Sequence, residues 1–316
     1  MKDKILALDT DTILYRSCAV LQEDSIIAEH KTHKFYKPCK NVTSFYGTKK
    51  NELGGWLNDF NTAENTSFTK EDFNIEVDTK IVAHDGVAYK RLREYISELY
   101  DLPWVKDIKI VLAGKDNYRH KIFSDYKAGR LPKPLRFEAV KDWFIEEFKD
   151  NVVLSHGAES DDYVSILGWW GYRKYGKDTP IVVGHCDKDC DQIPGLHFNF
   201  DKRTAPYWID ELQGCRRLCE QILLGDTTDN IKGLPEVNED LAEKYNLKKG
   251  GVGIAKAKKI LDGCDTIECL LREVQIAYMC YYGEEYKEPL NLTYKLVKLM
   301  EEKDVIPEFP FRDYKI

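Results

Sequence analysis

Short runs of consecutive apolar residues, Ile5-Leu6-Ala7-Leu8, Ile110-Val111-Leu112-Ala113, Val152-Val153-Leu154 and Ile181-Val182-Val183, break a chain otherwise patterned at helical spacing. Continuous apolar runs of this length are what strands buried on both faces look like. Between them the spacing predicts helices. Val87 to Tyr100 places Val87, Leu92, Tyr95, Ile96 and Leu99 on one side, and Arg136 to Phe148 has a stripe of Phe137, Val140, Phe144 and Phe148. Ile13 to Val20 and Leu218 to Leu224 are helical in pattern, and Val164, Ile166, Leu167 and Trp170 predict a mostly buried helix after Gly157. Alternating strands and helices argue for an α/β fold with a doubly wound, mainly parallel sheet.

Two stretches lack this order. Residues from about 26 to 79 carry Lys, Asn, Thr, Gly and aromatics with little period, including Tyr46-Gly47-Thr48-Lys49-Lys50 and Gly54-Gly55-Trp56. A surface insertion with some strands or short helices of its own is expected there, of a basic and aromatic kind that suits contact with DNA. From about 115 to 136, Tyr118-Arg119-His120-Lys121 and Asp125-Tyr126-Lys127-Ala128-Gly129-Arg130 precede Leu131-Pro132-Lys133-Pro134. Bases interleaved with rings suggest a cationic surface able to stack on bases, although a solvated helix face has the same composition. The expected organisation is an α/β core over 1–214 and a helical subdomain over 215–316 packed on it. Beyond Leu271, helical stretches with Tyr278, Tyr281, Tyr282 and Tyr286 carry no usable motif.

The chemistry gathers where strands end. Asp9-Thr10-Asp11-Thr12 follows the first strand, His185-Cys186-Asp187-Lys188-Asp189 follows the last, and Val152-Val153-Leu154 leads to Glu159-Ser160-Asp161-Asp162. One acid at a helix start caps N–H groups and complements the dipole. Three in four residues repel one another unless a positive charge lies among them, so the cluster calls for a metal and for further acids. Asp226 and Asp229 bracket a tight turn in Gly225-Asp226-Thr227-Thr228-Asp229-Asn230. Farther on, Gly250-Gly251-Val252-Gly253 opens a basic helix with Lys256, Lys258 and Lys259. It lacks the Walker Lys-Ser/Thr, but a helix start fed by glycines can bind one backbone phosphate.

With 316 residues the chain can bury a large core in one large or two modest domains, and its 43% hydrophobic and 32% charged content is that of a globular protein. No apolar run approaches the ~20 residues needed to span a bilayer, and no signal-peptide pattern is present, so a cytosolic protein is expected, in the host cytoplasm if phage-encoded. Nine cysteines, spread out and odd in number, fit reduced thiols. His185, Cys186, Cys190 and His197 invite a zinc reading, as do Cys215 and Cys219, which we set aside for want of a paired Cys-x-x-Cys knuckle. The net charge of −7 averages over acids crowding the suspected site and bases collected between Arg119 and Arg136 and between Lys244 and Lys259.

Leu8-Asp9-Thr10-Asp11, Asp125 to Arg130, Glu159 to Asp162, Asp187-Lys188-Asp189 and Gly225 to Asn230 with its glycine hairpin occur in an order that resembles the flap endonuclease and 5′-to-3′ exonuclease family, including bacteriophage exonucleases and the nuclease domain of bacterial DNA polymerase I. The resemblance runs from Lys4 to about Leu261. It implies a PIN-like 5′-nuclease fold with a helical arch over about 115–136 and a helix-hairpin-helix-like subdomain. It also implies a phosphodiesterase with two Mg²⁺ or Mn²⁺ ions that cuts DNA, or an RNA–DNA hybrid, at or near a 5′ end or flap, with roles in DNA replication and repair. Carried over by motif, Asp9, Glu159 and Asp161 would serve the first metal, while Asp162, Asp187, Asp189, Asp226 and Asp229 would hold or orient the second. Hard divalent cations want such carboxylates, and two ions suit in-line displacement. Tyr126, Lys127 and Arg130 would lie on the arch, with Lys127 and Arg119 near the scissile phosphate. Gly251, Val252 and Gly253, with Lys256 and Lys258, would grip the duplex backbone, with K⁺ on the hairpin carbonyls.

The family's aspartate after the second strand is replaced here by Ala113-Gly114, so that Asp116 either stands in for it or the ligand is missing. The span Leu234 to Lys249 ahead of the hairpin is also longer than usual. Two rivals remain. A haloacid-dehalogenase-type phosphatase would use Asp9 as nucleophile and Asp11 as acid/base, but gives no role to Glu159, Asp161, Asp162 or the Tyr-Lys-x-x-Arg segment. A non-catalytic DNA-binding member of the same fold would bind without cutting.

Overall fold

Leu6, Ala7 and Leu8 lie fully buried in strand β1 (Lys4–Asp9), and the polar turn after it starts helix α1 (Asp11–Ala19). The structure is a computed structural model and describes residues 3–47, 55–130, 132–202 and 205–314. The chain clusters into two units: Met1–Thr12, Tyr95–Pro132 and Ile145–Ile316 form one, Ile13–Glu94 and Lys133–Phe144 the other.

The irregular stretch after α1 has structure of its own. Strands β2 (Gln22–His30), β3 (Tyr36–Cys39) and β4 (Phe73–Ile81) pair antiparallel in the order β3-β2-β4, with helices α2 (Val42–Tyr46) and α3 (Trp56–Glu64) between β3 and β4. Its core is aromatic, with Phe45 and Phe73 buried beside Phe35, Trp56 and Phe68. Rings bury a large area per residue, which lets a sheet of short strands hold together without the apolar periodicity that sequence patterns reveal. The Thr48-Lys49-Lys50 and Gly54 part of the basic loop lies outside the described residues.

Helix α4 (Gly86–Tyr100) follows the expected stripe and leads to β5 (Val105–Leu112). The segment expected as an arch forms only the five-residue helix α5 (Tyr118–Ile122) and then hydrogen-bonded turns. Extended Phe123 ends α5, and Lys127 sits in the left-handed region at φ 60°, a conformation that ends helical propagation for any residue with a Cβ. Leu131 lies outside the described residues. Next come α6 (Phe137–Glu147), β6 (Val152–Leu154), α7 (Ser160–Tyr175), β7 (Ile181–His185), β8 (Gly195–Asn199) and β9 (Tyr207–Ile209).

The sheet order is β6-β5-β1-β7-β8-β9, parallel except for β9. The chain leaves β1 towards β5 and β6 and returns to its other side with β7. That reversal is a topological switch point, where open α/β sheets form clefts beyond the carboxyl ends of their strands. Helix α7 does not pack as its large residues suggest. Trp170 is 47% exposed, and the buried face is Val164, Ser165, Gly168 and Gly171. A Cβ on Gly168 would lie 2.8 Å from Ile193 Cγ2 and 2.9 Å from Val183 Cγ2, so the missing side chain is what lets α7 lie against the sheet.

Helix α8 (Glu211–Leu224) opens the C-terminal part, followed by the ladder of β10 (Gly225–Asp226) with β11 (Ile231–Lys232), then β12 (Glu236–Val237), α9 (Glu239–Tyr245) and β13 (Gly250–Gly251), which pairs with β12. Helices α10 (Ile254–Ile260), α11 (Ile267–Tyr282) and α12 (Lys287–Val297) close a core that includes Ile222, Leu261, Val274 and Leu290. These helices cluster with the parallel sheet in one unit. Among the described residues, no helix is long and apolar enough to cross a membrane.

Candidate metal and nucleic-acid site

Three elements deliver acids to the edge of the sheet. Asp9 ends β1, and Ser160 at the start of α7 donates from Oγ to Asp9 Oδ1 at 2.8 Å and to Asp11 Oδ2 at 3.0 Å. The amide of Ala113, beyond β5, donates to both oxygens of Asp11 at 3.2 and 3.3 Å. Asp11 thereby ties the turn after β1 to the residue that follows β5. Burial first, and then the charges of Asp11 and Asp187, push the Asp9 carboxyl up to about 7.

The acids on the first turn of α7 have separate fates. Glu159 is the N-cap, and the side chain of Asp162 accepts from its amide at 3.0 Å in a capping box. Asp161 faces the cavity, and burial with the charges of Glu159 and Asp162 holds it well above the usual carboxylate range. Burial would also raise Glu159, but Lys127 and Arg119 outweigh it and hold Glu159 low.

Asp162 and Arg119 depart from expectation. Asp162, expected to serve the second metal, is 0% exposed, and both its oxygens are taken by the Arg119 guanidinium at 2.5 and 2.9 Å, with the Met300 amide donating at 3.0 Å. Arg119, expected near the scissile phosphate, is 1% exposed and also donates to the carbonyls of Leu296 and Lys298 at 2.9 and 3.1 Å. Burial of two charges demands such complete pairing. The pair fastens α5 and the chain around Leu296 to Met300 to the start of α7 and keeps Asp162 out of the cavity lining, which Arg119 still reaches from its buried position.

The Tyr-Lys-x-x-Arg residues reach the acids from their turn. Tyr126 donates from its hydroxyl to Glu159 Oε2 at 2.8 Å, and burial pushes its phenol up. Lys127 pairs closely with Glu159 and stands 3.7 Å from Asp229, while Arg130 pairs with Asp229, its Nε donating at 2.9 Å. The turn is fixed by its backbone, since Lys127 N donates to Asp229 O at 3.0 Å and Asn230 Nδ2 to Asp125 O at 3.0 Å. Tyr126, Lys127, Arg130, Glu159 and Asp229 therefore form one ionic group.

Asp187, Asp189 and Asp226 line the same cavity. Burial, with the Asp187 charge next, pushes Asp189 up to about 6 even though Arg217 donates to it at 2.8 Å. The cavity these groups line has a volume of about 460 Å³, and its lining includes Lys127, Arg130, Glu159, Asp161, Asp187, Asp189, Asp226 and Asp229. Among the described residues, no ion pair reaches Asp9, Asp161, Asp187 or Asp226. Enclosed carboxylates held at raised values, with oxygen donors only, fit a hard divalent cation. Their oxygens are spaced more widely than a single tight cage, since the only three metal-type donors within 4.8 Å of one another among the described residues are His185, Asp191 and His197. Asp116 is exposed in the turn after β5 and lies outside the cavity lining.

The glycine hairpin forms as a two-residue ladder ahead of α10. Lys256 turns back onto it, donating to the carbonyls of Gly250 and Gly251 at 2.9 Å each, while Gly251, Gly253 and Lys258 are exposed and Val252 is half-buried. The carbonyls expected to hold K⁺ thus already face an ammonium group.

Sequence patterns missed Ser160, which ties Asp9 to Asp11, and Arg217, the partner of Asp189. Arg217 sits on α8 next to Arg216, where a pair of basic residues looks like any solvated helix face. They also missed the 296–300 segment, whose contribution is mainly backbone and so leaves no side-chain signal.

No family model matches the chain. A 5′-3′ exonuclease of Buchnera aphidicola subsp. Schizaphis graminum is 27% identical over 244 residues, covering 73% of this chain and 80% of that protein. The DNA polymerase I of Streptococcus pneumoniae is 30% identical over 156 residues, covering 44% of this chain and only 17% of the polymerase. A crystal structure of the T5 D15 protein co-crystallised with metal ions superposes with a TM-score of 0.36 at 15% identity, over 67% of this chain and 91% of that one, a likeness too loose to transfer positions. The acids at the switch point lie in the motifs that resemble the flap endonuclease and 5′-to-3′ exonuclease family, and the relatives to which the chain is similar are named 5′-3′ exonuclease and DNA polymerase I.

Proposed function

We propose that the protein hydrolyses phosphodiester bonds of DNA at or near a 5′ end, as an exonuclease, a flap endonuclease or both, with RNA–DNA hybrid as a further substrate class. The observation that carries this reading is the gathering of Glu159, Asp161, Asp187, Asp189, Asp226 and Asp229 around one cavity rimmed by Lys127 and Arg130, with Asp9 buried close enough to Asp187 to feel its charge. Asp9, Asp161 and Glu159 would hold one Mg²⁺ or Mn²⁺ ion, and Asp187, Asp189, Asp226 and Asp229 a second. Ions so placed supply an activated water and charge stabilisation at the leaving 3′ oxygen. Lys127 and Arg130 would exchange their carboxylate partners for the substrate phosphate, a bidentate task for the guanidinium. Arg217 orients Asp189, and Ser160 fixes Asp9 beside Asp11. Gly251, Gly253 and Lys258 present backbone and charge to duplex phosphates away from the reacting bond.

The test is substitution. Asp161→Asn and Asp187→Asn should each lower metal-dependent release of 5′-labelled products by roughly 100-fold or more, while DNA affinity stays within a few-fold. Wild-type turnover by either variant would refute the ligand assignment.

A further inference from the structure

Beside the acid cavity lies a second set of donors that the nuclease reading leaves unused. His185 at the end of β7 and His197 in β8 are 1% and 0% exposed, and their rings meet with Nε2 of His185 at 3.1 Å from Nδ1 of His197. The outward nitrogens settle the tautomers. Nδ1 of His185 lies 2.5 Å from the carbonyl oxygen of Asp187, and Nε2 of His197 lies 2.8 Å from that of Ile193. A carbonyl oxygen only accepts, so each of those nitrogens carries the hydrogen, and in the neutral rings the two facing nitrogens both present lone pairs. Two lone pairs at hydrogen-bond distance repel unless a cation or a shared proton lies between them. Enclosure of both rings works against the shared proton, because a charged imidazolium there would be desolvated.

Two oxygens complete the set. The Tyr207 hydroxyl stands 3.2 Å from His185 Nε2 and donates to Asp191 Oδ1 at 3.1 Å, and Asp191 Oδ1 is 3.7 Å from His185 Nε2. Ligands at the usual zinc–nitrogen bond length and tetrahedral angle stand about 3.3 Å apart, close to the 3.1 and 3.2 Å separations here, and the donors of His185, Asp191 and His197 all lie within 4.8 Å of one another. Metal-bound histidines commonly donate their other ring N–H to a backbone carbonyl, as both do here. Asp191 is half-buried and gives the group an opening to solvent.

We propose that His185, His197 and Asp191, with Tyr207 or a water in fourth place, bind a zinc-class transition-metal ion distinct from the ions of the carboxylate cavity. The two histidines are those of the zinc reading from sequence, but Cys190 is buried in the apolar core beside Val183 and Ile193, and Asp191 stands with them instead. Imidazole nitrogens favour zinc, copper, nickel or iron over Mg²⁺, so the two sites differ in selectivity. A bound ion would clamp β7, β8 and β9 together and steady the turn that presents Asp187.

The full-length protein, stripped with EDTA and desalted, is titrated with Zn²⁺ or Co²⁺ in the presence of excess Mg²⁺, which occupies the carboxylates. Wild type and Asp161→Asn should each take up one equivalent, with a rise in Tm and, for Co²⁺, the visible absorption of a four-coordinate site. Asp191→Asn and His185→Gln should lose roughly tenfold or more in affinity. Should His185→Gln fail to fold, Asp191→Asn, whose side chain reaches solvent, still decides. No uptake by wild type, or equal uptake by Asp191→Asn, overturns the proposal.

Discussion

Glu159 and Asp161 stand two positions apart on one helical turn and are driven in opposite directions, Glu159 down by Lys127 and Arg119 and Asp161 up by burial and its acidic neighbours. The sign of each shift sets a pH dependence. Asp9 titrates at about 7 and Asp189 at about 6 in the folded chain, against an unfolded value of about 3.9. Between roughly 4 and 7 the folded state keeps protons that the unfolded state has released, so stability from these groups is full below that window and lost as pH rises through it. Glu159 opposes this only at lower pH, where its pairing is lost as pH falls through its depressed value. In EDTA, Tm should therefore rise when pH is lowered from about 8 to about 6, and Mg²⁺ should raise Tm more at the higher pH. A flat Tm profile in EDTA would contradict the burial of these charges. At the same scale, the Arg119 and Asp162 pair is structural. Asp162→Asn alone or Arg119→Met alone should cost about 3–5 kcal/mol in denaturant unfolding, because each strands a buried charge or donor set, and the double variant should cost well under the sum. Additive losses would separate the two residues.

At the scale of elements, α7 shows what hydrophobic patterning reads and what it misses. Its start was legible because acids crowd a first turn, and its extent because apolar residues recur along it. Its packing face was not, because Gly168 and Gly171 look like helix breakers in sequence, whereas in the fold they are the contact surface. Gly168→Val should cost about 1–3 kcal/mol by overpacking against Val183 and Ile193, and should weaken Mg²⁺ binding by displacing Asp161 from the cavity. Measuring both by denaturant melts and by metal titration separates the effects; unchanged stability would show that α7 can shift freely. In the segment expected as an arch, residue type again leaves the local conformation open. Its bases and rings were correctly gathered near the acids, but a lysine at positive φ cannot be foreseen from residue type, and it is that conformation which makes a turn there.

At the scale of the molecule, the parallel sheet and its acidic edge were legible because buried strands are short, apolar and followed by polar turns. The motif order then brought together Asp9, Glu159, Asp161, Asp187, Asp189, Asp226 and Asp229, whose positions in sequence span most of the chain. The strands β2 to β4 were less legible, since their core rests on rings rather than on alternation. Least legible was the return of the C-terminal chain, where the carbonyls of Lys295, Leu296 and Lys298 receive Tyr118 and Arg119. Backbone acceptors are common to every residue, so no sequence feature announces them. On the proposed reading, this acidic edge is a metal-dependent nuclease centre acting at 5′ ends. Its most direct test is incubation of the purified protein with 5′-labelled duplex and flap DNA in Mg²⁺, in Mn²⁺ and in EDTA. Short labelled 5′ products with either metal and none in EDTA are expected; tight DNA binding without cleavage under every metal condition would contradict the claim.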